Sequence, residues 1–204
     1  MTHNIWNRIT QLLSVILWVA AVAVGQDVTP SEREKALRYA VETRTGVVDA
    51  VKGLSEAQWK FKPAPDRWSI AEVVEHLAVI EDLVKDILGK LGQAPAGAAD
   101  RNLKKIDELL LAEIPDRSQK FQAPPVALPT GRWTPAGALE HFQGARNQTA
   151  ELLRSTPDLR QHVVDHPVFG PLDGYQWILA VAAHSARHTK QILEVKADPR
   201  FPSK

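Results

Sequence analysis

The sequence predicts an all-α protein: a four-helix bundle with one short extra helix and long proline-rich loops. Three observations carry that expectation. Helix-start signals recur along the chain while strand signals do not. The strongest apolar periodicity, between Ile70 and Leu88, follows 3.6 residues. The 204 residues, 44% hydrophobic and 24% charged, have the composition of one ordinary globular domain and are enough for a single buried core.

The chain opens with MTHNIWNRITQLLSVILWVAAVAVGQ, where one basic residue, Arg8, precedes an apolar run from Leu12 to Val24. That is the pattern of a signal peptide, and the run falls short of the roughly 20 apolar residues of a spanning helix. Ala23 and Gly25 place small side chains at the −3 and −1 positions of a cut before Gln26. A cut after Ala23 fits nearly as well, and an uncleaved N-terminal anchor is the alternative. No Cys follows the run, which excludes a lipoprotein anchor. The expected organisation is a leader over 1–25 and one domain over 26–204, exported to the periplasm or secreted.

Thr29-Pro30-Ser31-Glu32 supplies an N-cap, a proline at the first helical position and an acid at the third. It opens a helix running to about Gly53, with Tyr39, Thr43, Val47 and Val51 on one face. The stretch Leu54–Trp68, with Pro63 and Pro65, reads as a connector containing at most one short turn. Ser69-Ile70-Ala71-Glu72 is a capping box that starts the most strongly periodic helix. A Gly, Ala and Pro rich stretch over 89–99 leads to a short amphipathic piece from Arg101 to about Glu113. Ile114–Arg132 then holds four prolines and reads as a long surface loop or lid. Thr134-Pro135 caps a further helix ending near Thr156, and Asp173 caps a last one from about Gly174 to Lys196.

Charge and composition narrow the chemistry. Lys and Arg number 25 against 24 Asp and Glu, so there is no excess positive field to hold a polyanion, and nucleic acid is not an expected partner. Loss of residues 1–25 removes Arg8 alone among the charged residues and leaves the two signs balanced. Cys is absent, which removes disulfides, thiolate nucleophiles and Cys-ligated metals together. Catalysis would have to come from His, carboxylates, hydroxyls or a metal.

The last helix carries His184 and His188, four apart. They lie about 40° apart around the axis and one turn apart along it, as two ligands of one metal require. Both fall on the core-facing line Trp177, Val181, His184, His188, Gln191, Val195. His76 interrupts the apolar stripe of the earlier helix between Val73 and Ile80, so three imidazoles can converge where the two helices face each other. The spacing alone is a weak signal, and a single core histidine is commonly satisfied by a carbonyl, which is the reading of His76 taken by itself. The shared inward face and the third histidine favour a metal. Ser185, Ala186 and Arg187 include no Glu, so this is not the HExxH protease arrangement.

The segments FKPAPDRWSIAEVVEHL (61–77), HPVFGPLDGYQW (166–177) and HSARHTKQI (184–192) closely resemble the DinB-like superfamily, in element order over essentially the whole mature chain. The resemblance implies a four-helix bundle of DinB/YfiT-like type. It also implies a divalent metal held by one histidine after a Trp-Ser-x-x-Glu start and two in an HxxxH, which fall on His76, His184 and His188 here. Zinc is the first choice, with nickel, iron or manganese as alternatives. It implies a metal-dependent hydrolase of a small molecule, or else a metal-dependent transferase using an exogenous thiol, and it allows a homodimer. The alternative of another class is a metal- or ligand-binding, stress-associated module without turnover. No general base is assigned, Glu72 and Glu75 being without a fixed placement.

Other residues carry smaller expectations. His141 reads as a partly exposed helix residue, with a ligand role as the alternative, and His162 and His166 read as surface residues, with His166 near the site mouth as the alternative. Trp68, Trp133 and Trp177 are expected to pack the bundle, a substrate-wall role being the lesser reading. Arg146 and Arg187 are expected to be solvated or helix-paired, with anion binding at the mouth as the alternative.

Overall fold

The computed structural model describes residues 27–203, so the expected leader over 1–25 lies outside the described residues. The elements run α1 (Pro30–Val51), α2 (Glu56–Lys60), α3 (Ile70–Lys90), α4 (Leu103–Glu113), α5 (Pro135–Ser155), β1 (Val163–His166), β2 (Gly170–Asp173) and α6 (Gly174–Lys196). The four long helices α1, α3, α5 and α6 form the bundle. None of the described helices is long and apolar enough to cross a membrane.

Each long helix begins where local chemistry dictates. Thr29 with Glu32, Ser69 with Glu72 and Asp173 with Gln176 form reciprocal capping boxes, and Thr134 caps α5 ahead of Pro135. In the box that starts α3, the Ser69 amide donates to the Glu72 carboxylate at 2.7 Å and the Glu72 amide donates back to Ser69 Oγ at 3.3 Å. Two of the four backbone donors that a helix start leaves without helical partners are used this way.

Around the bundle, α1 lies beside α6, α6 beside α3, α3 beside α5, and α5 beside α1. The consecutive helices α1 and α3 therefore stand on a diagonal, which the long connector carrying α2 makes feasible. The main core gathers Val47, Ile70, Val73, Leu77, Phe142 and Ile192, with Trp59 and Trp68 against its edge. A second cluster joins Val84, Leu110, Leu172, Trp177 and Val181 where α4 packs on α6.

A salt bridge occupies the middle of this core. Arg146 on α5 and Glu81 on α3 are both almost fully buried. Arg146 Nε donates to Glu81 Oε1 at 2.7 Å, and the guanidinium also reaches the Ala40 carbonyl and Thr43 on α1, and the Val181 carbonyl and Ser185 on α6. Thr149 donates to the second carboxylate oxygen. One side chain thus ties all four bundle helices, and the solvated or mouth-lining position expected for Arg146 is overturned: its partners are internal.

The sequence also gave no warning of a strand. β1 and β2 pair antiparallel, with Val163 opposite Asp173 and His166 opposite Gly170. Gly170 and Pro171 read as breakers, yet Gly170 takes φ +69° at the hairpin turn and Pro171 sits in a strand with only one hydrogen-bonded neighbour, where its missing N–H costs little. The turn is closed by His166, whose Nδ1 accepts from the amides of Val168 and Phe169. Trp177 Nε1 donates to the Val164 carbonyl and pins the hairpin to α6.

Candidate metal centre

His76 leaves α3 and His184 and His188 leave successive turns of α6, and the three rings meet with centroids 4.3–5.0 Å apart. Nε2 of His184 is 3.3 Å from Nε2 of His76 and 3.1 Å from Nε2 of His188. One potential ligand atom from each residue lies within 4.8 Å of the others. For comparison, two nitrogens bound tetrahedrally at about 2.0–2.1 Å from zinc stand roughly 3.3 Å apart. His76 and His188 are buried, and His184 is only partly exposed, its Nδ1 being buried.

The hydrogen-bond partners of the ring nitrogens suit a cation among the three rings. His76 Nδ1 is 2.7 Å from the Ala127 carbonyl, which can only accept, so Nδ1 carries the proton and Nε2 is bare. His188 Nδ1 is 2.8 Å from Gln191 Oε1, which likewise leaves Nε2 bare. His184 Nδ1 is buried without a partner among the described residues. If His184 carries its proton on Nδ1, a donor is orphaned and three lone pairs face one another. If it carries the proton on Nε2, a buried acceptor is orphaned instead. Either tautomer leaves a cost of about 1–3 kcal/mol, and a divalent ion among the three Nε2 atoms offsets the repulsion of the first. The residues fit such an ion.

The electrostatics favour neutral ligands. Burial lowers all three imidazoles from their ordinary value, and the Ala127 carbonyl only partly opposes this at His76. His184 and His188 are driven well below that value, first by burial and then by the neighbouring imidazoles, with Arg187 adding to both. Neutral imidazole is the form that binds metal.

The proline-rich stretch 114–132 is strapped over this end of the bundle. Arg187 donates to the carbonyls of Ile114, Asp116 and Gln119, and Lys190 donates to that of Pro115. Glu75 accepts the amides of Thr130, Gly131 and Arg132 at 2.8–3.2 Å. The expected solvated or anion-binding role of Arg187 therefore gives way to a clamp on the strap. Both carboxylates left without a placement are occupied, Glu75 by the strap and Glu72 by its cap and Lys62.

Trp68 lies against the cluster, its ring 4.9 Å from that of His76 and stacked at 6.4 Å on that of His188. It is partly exposed, so it walls the site as well as packing the core. Among the described residues, the remaining histidines stand apart. His141 pairs with Asp82 at 2.8 Å and stacks on Trp133, His162 donates to the Ala94 carbonyl, and His166 packs on Phe169 and Trp177. A cavity of about 560 Å³ between α1, α4 and α6, lined by Tyr39, Leu111, Tyr175 and Leu179, touches none of the three ligand candidates. Gln191 and Arg117 also stand around His188, a role the sequence pattern does not declare for either. Gln191 was legible in principle, because it follows His188 by three residues on the same face.

Fold and cluster together define a class: a four-helix-bundle protein in which three histidines from two facing helices form a group able to hold a metal. The chain belongs to the DinB superfamily, whose family model matches residues 39–192. It is 30% identical over 157 residues to YuaE, an uncharacterized protein of Bacillus subtilis (strain 168), covering 76% of this chain and 93% of that one. Its fold is similar to that of YfiT from Bacillus subtilis, described as a probable metal-dependent hydrolase with an unusual four-helix bundle topology. The TM-score is 0.53 at 18% identity, with 83% of this chain and 88% of that chain covered.

Proposed function

We propose that this protein is a divalent-metal-dependent hydrolase of a small molecule, with His76, His184 and His188 as the metal ligands. The observation that carries the reading is the convergence of three Nε2 atoms, two of them bare by proton accounting, beside a His184 Nδ1 with no partner. An all-nitrogen, neutral donor set favours zinc, with nickel, iron or manganese as alternatives. When bound, such an ion supplies Lewis-acid polarisation of a carbonyl or phosphoryl oxygen and acidifies water. The chain's own contribution is to orient the imidazoles through Ala127 and Gln191 and to exclude bulk water with Trp68 and the strap. The same centre fits an external thiol as co-substrate, since the chain has no Cys of its own. We place the protein outside the cytoplasm on its N-terminal leader pattern, acting on a small molecule and not on nucleic acid.

Metal analysis of the purified protein beside His184→Ala tests the ligand set. About one divalent ion per chain is expected in the wild type and a large loss in the variant; equal content in both overturns the centre. Ester, amide and phosphoester panels run beside thiol-conjugation assays then separate hydrolase from transferase, with activity abolished by chelation and restored by zinc. Inactivity of the loaded protein in every assay favours a binding module. The intact mass reads out export, because a chain still beginning at Met1 after export excludes cleavage before Gln26.

A further inference from the structure

The three imidazoles are not supported equally, and the difference runs through the strap. Arg117 lies in the strap and is gripped by Glu194 of α6, its Nε and Nη2 donating to the two carboxylate oxygens at 2.5 and 2.7 Å. Those hydrogen bonds hold the Glu194 carboxylate below the usual range. From that anchored position Arg117 Nη1 donates to Gln191 Oε1 at 3.4 Å. A guanidinium has donors only, so the end of the Gln191 amide that faces it must be the oxygen. The same oxygen stands 2.8 Å from His188 Nδ1. With an acceptor opposite, Nδ1 must carry the ring proton, and Nε2 is left bare toward the cluster.

We propose that Arg117 and Gln191 are positioning residues of the metal centre, a relay in which a strap residue fixes the tautomer and ring orientation of His188. The inference rests on the three-histidine metal reading for its functional meaning, although the tautomer it assigns exists without a metal. Without Arg117, the Gln191 amide can turn its NH₂ toward His188. The ring would then move its proton to Nε2, and the nitrogen that faces the cluster would become a donor that binds no cation. The strap acts on His76 in the same sense, since Ala127, whose carbonyl holds Nδ1 of that ring, belongs to it. Two of the three candidate ligands thus receive their proton placement from residues 117 and 127, while His184 has no outer partner among the described residues.

The test uses Gln191→Leu, Arg117→Met and Gln191→Glu, read by zinc titration against a competing chelator and by long-range ¹H–¹⁵N spectra of the histidine rings in metal-free protein. Gln191 is only partly buried and Arg117 lies on the strap, so circular dichroism should match the wild type in all three. Gln191→Leu is expected to weaken zinc binding roughly 10- to 100-fold, and Arg117→Met roughly tenfold. Gln191→Glu, which keeps an acceptor for His188 and a partner for Arg117, should stay within about threefold. In the spectra His188 should be the Nδ1–H tautomer in the wild type and in Gln191→Glu, and should lose that preference in the other two. A wild-type tautomer in both Gln191→Leu and Arg117→Met overturns the relay and leaves the metal centre untouched. Zinc binding no tighter in the wild type than in His184→Ala overturns the metal centre, and the spectra then decide the relay alone. If Gln191→Leu fails to fold, Arg117→Met and the spectra of the wild type carry the decision.

Discussion

Replacing Arg146 by Met should destabilise the protein by about 3–5 kcal/mol, because Glu81 would remain in the core as a charge without its partner. Replacing Glu81 by Met as well should recover most of that loss, since the apolar pair has no buried charge to compensate. Guanidinium unfolding of the two variants decides the point, and a double variant weaker than the single one would refute it. The pair was not legible in the sequence. Its partners are 65 residues apart, and an arginine among Ala145, Asn147 and Gln148 looks like any solvated helix residue. His76, His184 and His188 were legible because each interrupts an apolar periodicity, and periodicity reports which side of a helix faces inward. What the period does not report is the partner of the second ring nitrogen: it put Gln191 on the right face without its role, and Ala127 and Arg117 came from the structure alone.

Helix starts were legible for the same reason that they are stable: the capping residues act on backbone groups three positions away, within reach of a local reading. Ser69→Ala should cost about 1 kcal/mol and lower Tm by roughly 2–4 °C, measured by thermal unfolding. An unchanged Tm would mean that the Ser69 and Glu72 contacts contribute nothing to α3. The hairpin of β1 and β2 escaped because its strands are four residues long and one begins Gly170-Pro171, so neither alternation nor composition had room to declare itself. The strap was legible as a proline-rich loop, but its docking depends on Glu75 and Arg187, helix residues far in sequence from the strap residues they hold.

The order of helices around the bundle was beyond a one-dimensional reading, because connectors as long as 52–69 and 114–134 leave several arrangements open. Acid should reveal how much of the interior depends on neutral histidine. Burial holds His76, His166, His184 and His188 below the value near 6.5 that they regain on unfolding. Below that pH the unfolded chain binds more protons than the folded one. The stability is therefore complete above about pH 6.5 and is lost as the pH falls toward and through the lowered folded values. Chelator-treated protein should thus have a lower Tm at pH 5 than at pH 7.5, and equal values would contradict neutral burial. The wide separation of His76 and His184, 108 residues along the chain, has one more consequence. An ion gripping both would close a loop of that length, which by the entropy arithmetic used for disulfides is worth roughly 4–5 kcal/mol. A chain that contains no cysteine would then hold α3 to α6 with a removable staple, fastened when metal is plentiful and released when it is scarce.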